Sequence, residues 1–178
     1  MNSAIIRPLA ATDQLVELTA LLHRAYARLG AMDLNFTAVD QTVAVTAERV
    51  ARGQCFVAMV GDAMAGTVTV SRPHDPARSD WVAPSPWLVR CDTAHFGQLA
   101  VDPRFQGRRI GDALIARCEA WALGEGYARM LLDTAMPAEH LRTRYERLGY
   151  RVEDEVQWNG KRYRSVLMVK ELGMTASG

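Results

Sequence analysis

Residues 101–112 read Val-Asp-Pro-Arg-Phe-Gln-Gly-Arg-Arg-Ile-Gly-Asp, and no other stretch constrains the chain as strongly. An apolar run ends at Val101, Pro103 punctuates a turn, and the residues after Asp112 follow a helical pattern. That order describes a strand, a loop and a helix N-terminus. Such a loop turns several backbone N–H groups toward one spot, where the helix macrodipole adds roughly half a positive charge. Arg104, Arg108 and Arg109 stand beside it. The chemistry suits an anion, phosphate above all. The competing reading is an ordinary strand-to-helix connection with solvated arginines.

The rest of the chain narrows the class. Its 178 residues suit one domain with a real core, expected over 1–172, with a loose tail over 173–178. No segment approaches the roughly 20 apolar residues of a membrane span. Arg7-Pro8 interrupts the early apolar stretch where a signal peptide would need it unbroken. A cytoplasmic protein with no membrane partner is expected. Cys55, Cys91 and Cys118 are odd in number and far apart, which supports neither a disulfide framework nor structural zinc, and no metal is expected. A net charge of +1 argues against bulk electrostatic binding of nucleic acid.

In chain order, a short strand over Ala4–Arg7 is ended by Pro8. Asp13 stands where it would cap a helix over Leu15–Ala27, with Leu15, Leu18, Leu22 and Tyr26 on one apolar stripe and Gly30 as its stop. Asp40 stands where it would cap a second amphipathic helix through Val43, Ala47 and Val50, closed by Gly53. Cys55–Val60 and Met64–Val70 around Gly61-Asp62 form a hairpin pattern. Ser71–Thr93 breaks the pattern with four prolines, Trp81 and Trp87; a loop of that length in a compact domain is usually functional or disordered. His95–Val101 is a strand, a helix runs on from Asp112, Arg129–Thr134 is a buried strand, and Glu139–Leu148 is a helix stopped by Gly149. Val152–Trp158 and Arg162–Val169 flank Asn159-Gly160, the strongest hairpin signal in the chain. The sum is an α/β fold, a mixed and largely antiparallel sheet of about seven strands flanked by about four helices. The helix between the fourth and fifth strands makes those two parallel, with the anion loop at the C-terminal end of the fourth.

These residues resemble the GNAT superfamily of acyl-CoA-dependent N-acetyltransferases. The family's Gln/Arg-x-x-Gly-x-Gly/Ala motif falls on Gln106, Gly107, Arg108, Arg109, Ile110 and Gly111. It departs at Arg109, where the family usually has glycine. Leu99-Ala100-Val101-Asp102-Pro103 resembles the family's fourth strand, and Tyr145-Glu146-Arg147-Leu148-Gly149-Tyr150 its Tyr-Glu-x-Leu-Gly-Phe/Tyr helix end. The resemblance implies that Gln106 to Asp112 wraps the pyrophosphate of acetyl-CoA. It also implies that the fourth and fifth strands splay at a bulge, so that Leu99, Ala100 and Val101 run beside the pantetheine arm, with backbone groups of Leu99 and Val101 holding it. An apolar core strand would look the same at those positions. Arginine at 109 is tolerated if its dihedrals are helical, its guanidinium then facing either a phosphate or solvent.

By the same resemblance Tyr145 is the general acid that protonates the departing thiolate. The base is one of His95, on the fourth strand, Asp133, near the end of the fifth, or a water relay. The asparagine that many members carry seven residues before the tyrosine is replaced here by Ala138. Ser71–Thr93, through Trp81 and Trp87, is expected to line the acceptor entrance with Asn35 and Phe36. The implied function is transfer of acetyl from acetyl-CoA to a primary amine, on a small molecule or peptide, by direct attack in a ternary complex. The alternative is a non-catalytic CoA- or metabolite-binding module of the same fold. Family members often dimerise, which leaves a homodimer open.

Overall fold

The computed structural model describes residues 3–75, 77 and 83–173. Trp81 and the tail residues 174–178 lie outside the described residues. Seven strands, β1 (Ile5–Pro8), β2 (Gly53–Val60), β3 (Ala63–Ser71), β4 (Thr93–Val101), β5 (Arg129–Ala135), β6 (Arg151–Val156) and β7 (Ser165–Glu171), form one sheet in the order β1-β2-β3-β4-β5-β7-β6. β4 and β5 are parallel, while β1–β2, β2–β3, β5–β7 and β6–β7 are antiparallel. Four α-helices are described, α1 (Leu15–Ala31), α2 (Val43–Ala51), α3 (Ile110–Gly124) and α4 (Glu139–Arg147). The mixed, largely antiparallel α/β class read from the sequence is the observed one. Among the described residues no helix is long and apolar enough to cross a membrane.

The chain divides into two compact units, residues 1–71 with 96–118, and residues 72–95 with 119–178. In the first unit the apolar stripe of α1 packs on the sheet: Leu18, Leu21 and Leu22 are buried with Cys55 and Val57 of β2, Met64 of β3 and Ala100 of β4. In the second, Leu131 of β5, Val156 of β6, and Leu167 and Val169 of β7 form a cluster with Leu88, against which Trp87 and Trp158 pack.

Local details depart from the sequence reading for identifiable reasons. Pro8 lies within β1, where it pairs with Phe56; a proline is tolerated there because β1 is an edge strand. Asp13 does not cap α1. It accepts from the Ala10 N–H at 2.7 Å and is held by Arg7 Nη1 and Nη2 at 2.6 and 2.8 Å, and this pairing keeps its carboxyl below the usual range. Gly30 does not stop α1 either. The reversal comes at Asp33, at φ +61°, with Asp33 N–H donating to Gly30 O and Leu34 N–H to Leu29 O, the pattern of a Schellman end. Thr42, not Asp40, caps α2 by accepting from Val45 N–H at 3.2 Å. Gly61 at φ +59° makes the β2–β3 turn as read. Asn159-Gly160 does not join two strands directly, since β6 ends at Val156 opposite Ser165 and residues 157–164 form a longer connection.

Candidate functional site

In the first unit β4 runs into the loop through a buried carboxylate. Asp102 is 1% exposed; its Oδ1 accepts from the backbone N–H and Nε of Arg104, both at 3.0 Å, and its Oδ2 from Arg104 Nη2 at 2.9 Å and Arg24 Nε at 2.8 Å. A charge this buried persists because it is fully paired. Arg104, then Arg24, hold the carboxyl well below the usual carboxylate range. The clamp fixes where the strand stops and the short turn Pro103–Phe105 begins. The guanidinium carbons of Arg104 and Arg108 stand 5.5 and 5.4 Å from the centre of the Phe105 ring.

The loop then takes two left-handed steps, Gly107 at φ +78° and Arg109 at φ +58°, before α3 begins at the buried Ile110. The helical dihedrals expected at Arg109 are therefore not found; the position is of the kind that favours glycine, and arginine holds it nonetheless. Its side chain is 89% exposed and 3.7 Å from Asp112 Oδ2. Gly107, Arg108, Arg109, Ile110 and Ala113 line an open cleft of about 520 Å³ with Ser3, Ala4 and Val60. A Cβ at Gly107 would meet nothing within 4 Å, so the backbone there is open to a ligand. Left-handed turns ahead of a helix N-terminus, with Arg108 and Arg109 beside them, suit a phosphate.

On β4 the directions of the backbone groups follow from the pairing with β3. Asp102 N–H donates to Ala65 O at 2.9 Å, and Ala100 O lies beside Gly66, 2.9 Å from where its Cβ would be. Residues 100 and 102 therefore face β3, and by strand alternation Leu99 and Val101 turn their N–H and C=O groups away from it. Gln98 just before them is left-handed, at φ +56°, in the middle of the strand. Leu99 O accepts from the hydroxyl of Tyr26 on α1 at 3.0 Å, and the Tyr26 ring meets Phe36 edge-on at 5.6 Å. Asn35 is half-buried next to Phe36.

In the second unit Tyr145 on α4 is buried, and burial pushes its phenol up to about 12; Arg144 opposes the shift and Asp133 adds to it. Its ring stands edge-on to Tyr150, 6.2 Å away. Asp133 is exposed on β5 and accepts from the Trp158 indole N–H at 3.0 Å. The buried Tyr163 is raised by burial and then by Asp133. Asp133 shares a strand face with Leu131, on whose cluster Trp87 and Trp158 pack, so the structure brings Trp87 to the face that carries Asp133. His95 pairs with Leu131 and is 8% exposed. Burial lowers its imidazole to about 4, His74 adding to the effect and a backbone bond at Trp87 opposing it, and its buried Nε2 has no hydrogen-bond partner among the described residues. Glu139 and His140 are exposed on α4.

The sequence reading missed Asp102, Tyr26, Trp158 and Tyr163. Asp102 had a usable signal, an acidic residue between an apolar run and Pro103 with arginines on its far side. The others carry none: the polar ends of Tyr26 and Trp158 find partners distant in sequence, and Tyr163 is set by burial. Among the described residues no group of three or more His, Cys, Asp or Glu could hold a metal ion.

The chain belongs to the Acetyltransferase (GNAT) family, whose model matches residues 17–150 and so runs through both units. Among solved structures, PH1933 from Pyrococcus horikoshii OT3 is similar at 22% identity and a TM-score of 0.70, over 95% of this chain and 98% of that one. The ribosomal-protein-S18-alanine N-acetyltransferase from Escherichia coli is similar at 19% identity and a TM-score of 0.70, over 98% and 97%. A GNAT family acetyltransferase from Elizabethkingia anophelis with acetyl-CoA bound is similar at 17% identity and a TM-score of 0.66, over 96% and 99%. These likenesses show the fold. No curated protein matches the chain in sequence.

Proposed function

We propose that the chain moves an acetyl group from acetyl-CoA to a primary amine by direct attack within a ternary complex. The observation that carries this is the Gly107 and Arg109 turn opening onto a cleft at the start of α3. Its donors and charges fit a pyrophosphate, and the open backbone at Gly107 gives it room. Gln106 to Asp112 would hold that group, with Arg108 free to pair with phosphate oxygens. Leu99 and Val101 would hold the pantetheine arm by the backbone groups they turn away from β3. Bound acetyl-CoA supplies an activated thioester carbonyl and a thiolate leaving group.

The remaining tasks belong to the chain. An N–H of Leu99 aimed at the thioester oxygen would stabilise the charge that develops there. The amine nitrogen forms the new C–N bond as the C–S bond breaks, so one proton must leave the nitrogen and one must reach the sulfur. Asp133, exposed and steadied by Trp158, is better suited to take the first, directly or through water, than His95, whose basicity burial weakens. Tyr145 supplies the second; its raised pKa keeps it protonated at working pH. Direct attack is supported by the burial of Cys55 and Cys118, with the Cys55 thiol pushed up by that burial, since a buried thiol makes a poor acyl carrier. Asn35, Phe36 and Trp87, with Trp81, would meet the acceptor.

The test is thiol release from acetyl-CoA against a panel of primary amines, with mass analysis of the amine product. Amine-dependent release with an acetylated product is expected. Tight binding of acetyl-CoA with no release for small amines or peptide N-termini points to the non-catalytic module.

A further inference from the structure

Tyr26 reaches Leu99 across 73 residues of sequence, and its hydrogen bond is placed where the reaction would feel it. Ala100 and Asp102 face β3, so the Leu99 carbonyl is on the opposite edge of β4 and takes its bond from a side chain. The preceding residue, Gln98, is left-handed at φ +56°, so β4 departs from extended geometry immediately before the peptide in question. A peptide beside such a kink needs an anchor to keep one orientation. The anchor is itself rigid: the Tyr26 ring packs on the buried cluster of α1, β2 and β3 and stands edge-on to Phe36 at 62°.

We propose that Tyr26 is a positioning residue for acetyl transfer, fixing through its hydroxyl the Leu99 backbone that addresses the thioester and pantetheine arm. The inference rests on the reading of Leu99 as a cofactor-holding residue. A carbonyl oxygen has two lone pairs, so Leu99 O can accept the phenol and still accept an amide N–H from the arm. In this pair the phenol is the donor, because a carbonyl cannot donate. The same ring, through Phe36, joins this peptide to the loop expected to meet the acceptor, so one side chain steadies both.

Tyr26→Phe removes the hydroxyl and keeps the ring against Phe36, while Phe36→Leu disturbs the packing and keeps the hydroxyl. Acetyl-CoA is titrated into the 15N-labelled full chain of each, following the Leu99 and Ala100 amide resonances, with the dissociation constant taken by calorimetry. The expected result is that Tyr26→Phe stays folded with a melting temperature lowered by only a few degrees, moves both amide resonances before ligand is added, and binds acetyl-CoA about fivefold to tenfold more weakly, because the freed peptide must be ordered again on binding. An affinity within twofold of wild type overturns the proposal, and so does an equal loss in Phe36→Leu with the Leu99 and Ala100 resonances unmoved, which would make the effect one of packing. If the wild-type chain shows no acetyl-CoA binding, the failure belongs to the cofactor reading and is visible before any variant is compared.

Discussion

Gly107 and Arg109 share a left-handed backbone, at φ +78° and +58°, on either side of Arg108 and directly ahead of α3. A side chain with a Cβ costs about 1–2 kcal/mol in that conformation, and glycine's extra freedom in the unfolded chain gives back about 0.5–1 kcal/mol of that difference. The Arg109 side chain is almost fully exposed, and its 3.7 Å approach to Asp112 is worth little in water. Arg109→Gly is therefore expected to raise stability by up to about 1 kcal/mol, read as a higher midpoint in chemical denaturation at unchanged slope. A lower midpoint would show that the arginine is held by contacts stronger than these.

Tyr145→Phe tests the acid. The ring stays in place against Tyr150 and only the hydroxyl is lost. General-acid help is worth about 10² to 10⁴ in rate, so kcat should fall in that range while acetyl-CoA affinity stays within twofold. Because burial raises the phenol to about 12, the wild-type kcat should show no loss from its ionisation up to pH 10. A kcat of Tyr145→Phe within twofold of wild type, under conditions where chemistry limits turnover, would return Tyr145 to a packing role.

His95 makes a separate prediction about stability. Its folded pKa of about 4 lies below the usual 6.5, so between these values the unfolded chain binds a proton that the folded chain refuses. Its contribution is present above pH 6.5 and is lost as pH falls toward 4. The loss should approach about 3 kcal/mol at 1.36 kcal/mol per pH unit. Urea denaturation across this range should show a slope in the wild type that His95→Gln lacks. Identical pH dependence in the two chains would place the buried histidine's titration elsewhere.

Direct attack requires no cysteine carrier. Cys91 is the exposed one, on the turn before β4. Cys91→Ser is expected to keep kcat and both KM values within twofold, with initial-rate plots that intersect. A loss of turnover with parallel plots would favour an acyl-enzyme route.

Much of this architecture was legible because its signals are local. Gly61-Asp62 between two alternating runs gave the β2–β3 hairpin, and the arginine- and glycine-rich run after Val101 gave the loop and the start of α3. Local signals failed where a distant group competed for the same residue. Asp13 was the natural cap for α1 until Arg7 claimed its carboxylate from β1. Asn159-Gly160 does sit in a turn, with Lys161 N–H donating to Trp158 O, but Trp158 is drawn to Asp133 and Tyr163 is buried, which pulls the flanking residues out of the ladder. Arg109 misled because its identity argues against a left-handed backbone, and only the three-dimensional course of the loop reveals one. Tyr26 was read correctly as part of an apolar stripe, since no spacing rule indicates that its hydroxyl would find Leu99.

The claim on which everything else depends is that Gln106 to Asp112 binds acetyl-CoA, and thermal denaturation with and without acetyl-CoA measures it most directly. A ligand that binds only the native state stabilises it by roughly 2.7 kcal/mol at a hundredfold excess over Kd, so the wild-type melting temperature should rise. Gly111→Glu puts bulk and negative charge at the first turn of α3, where phosphates would sit. Checked as folded by circular dichroism, that variant should show no rise; a rise equal to that of the wild type would contradict the assignment of the loop.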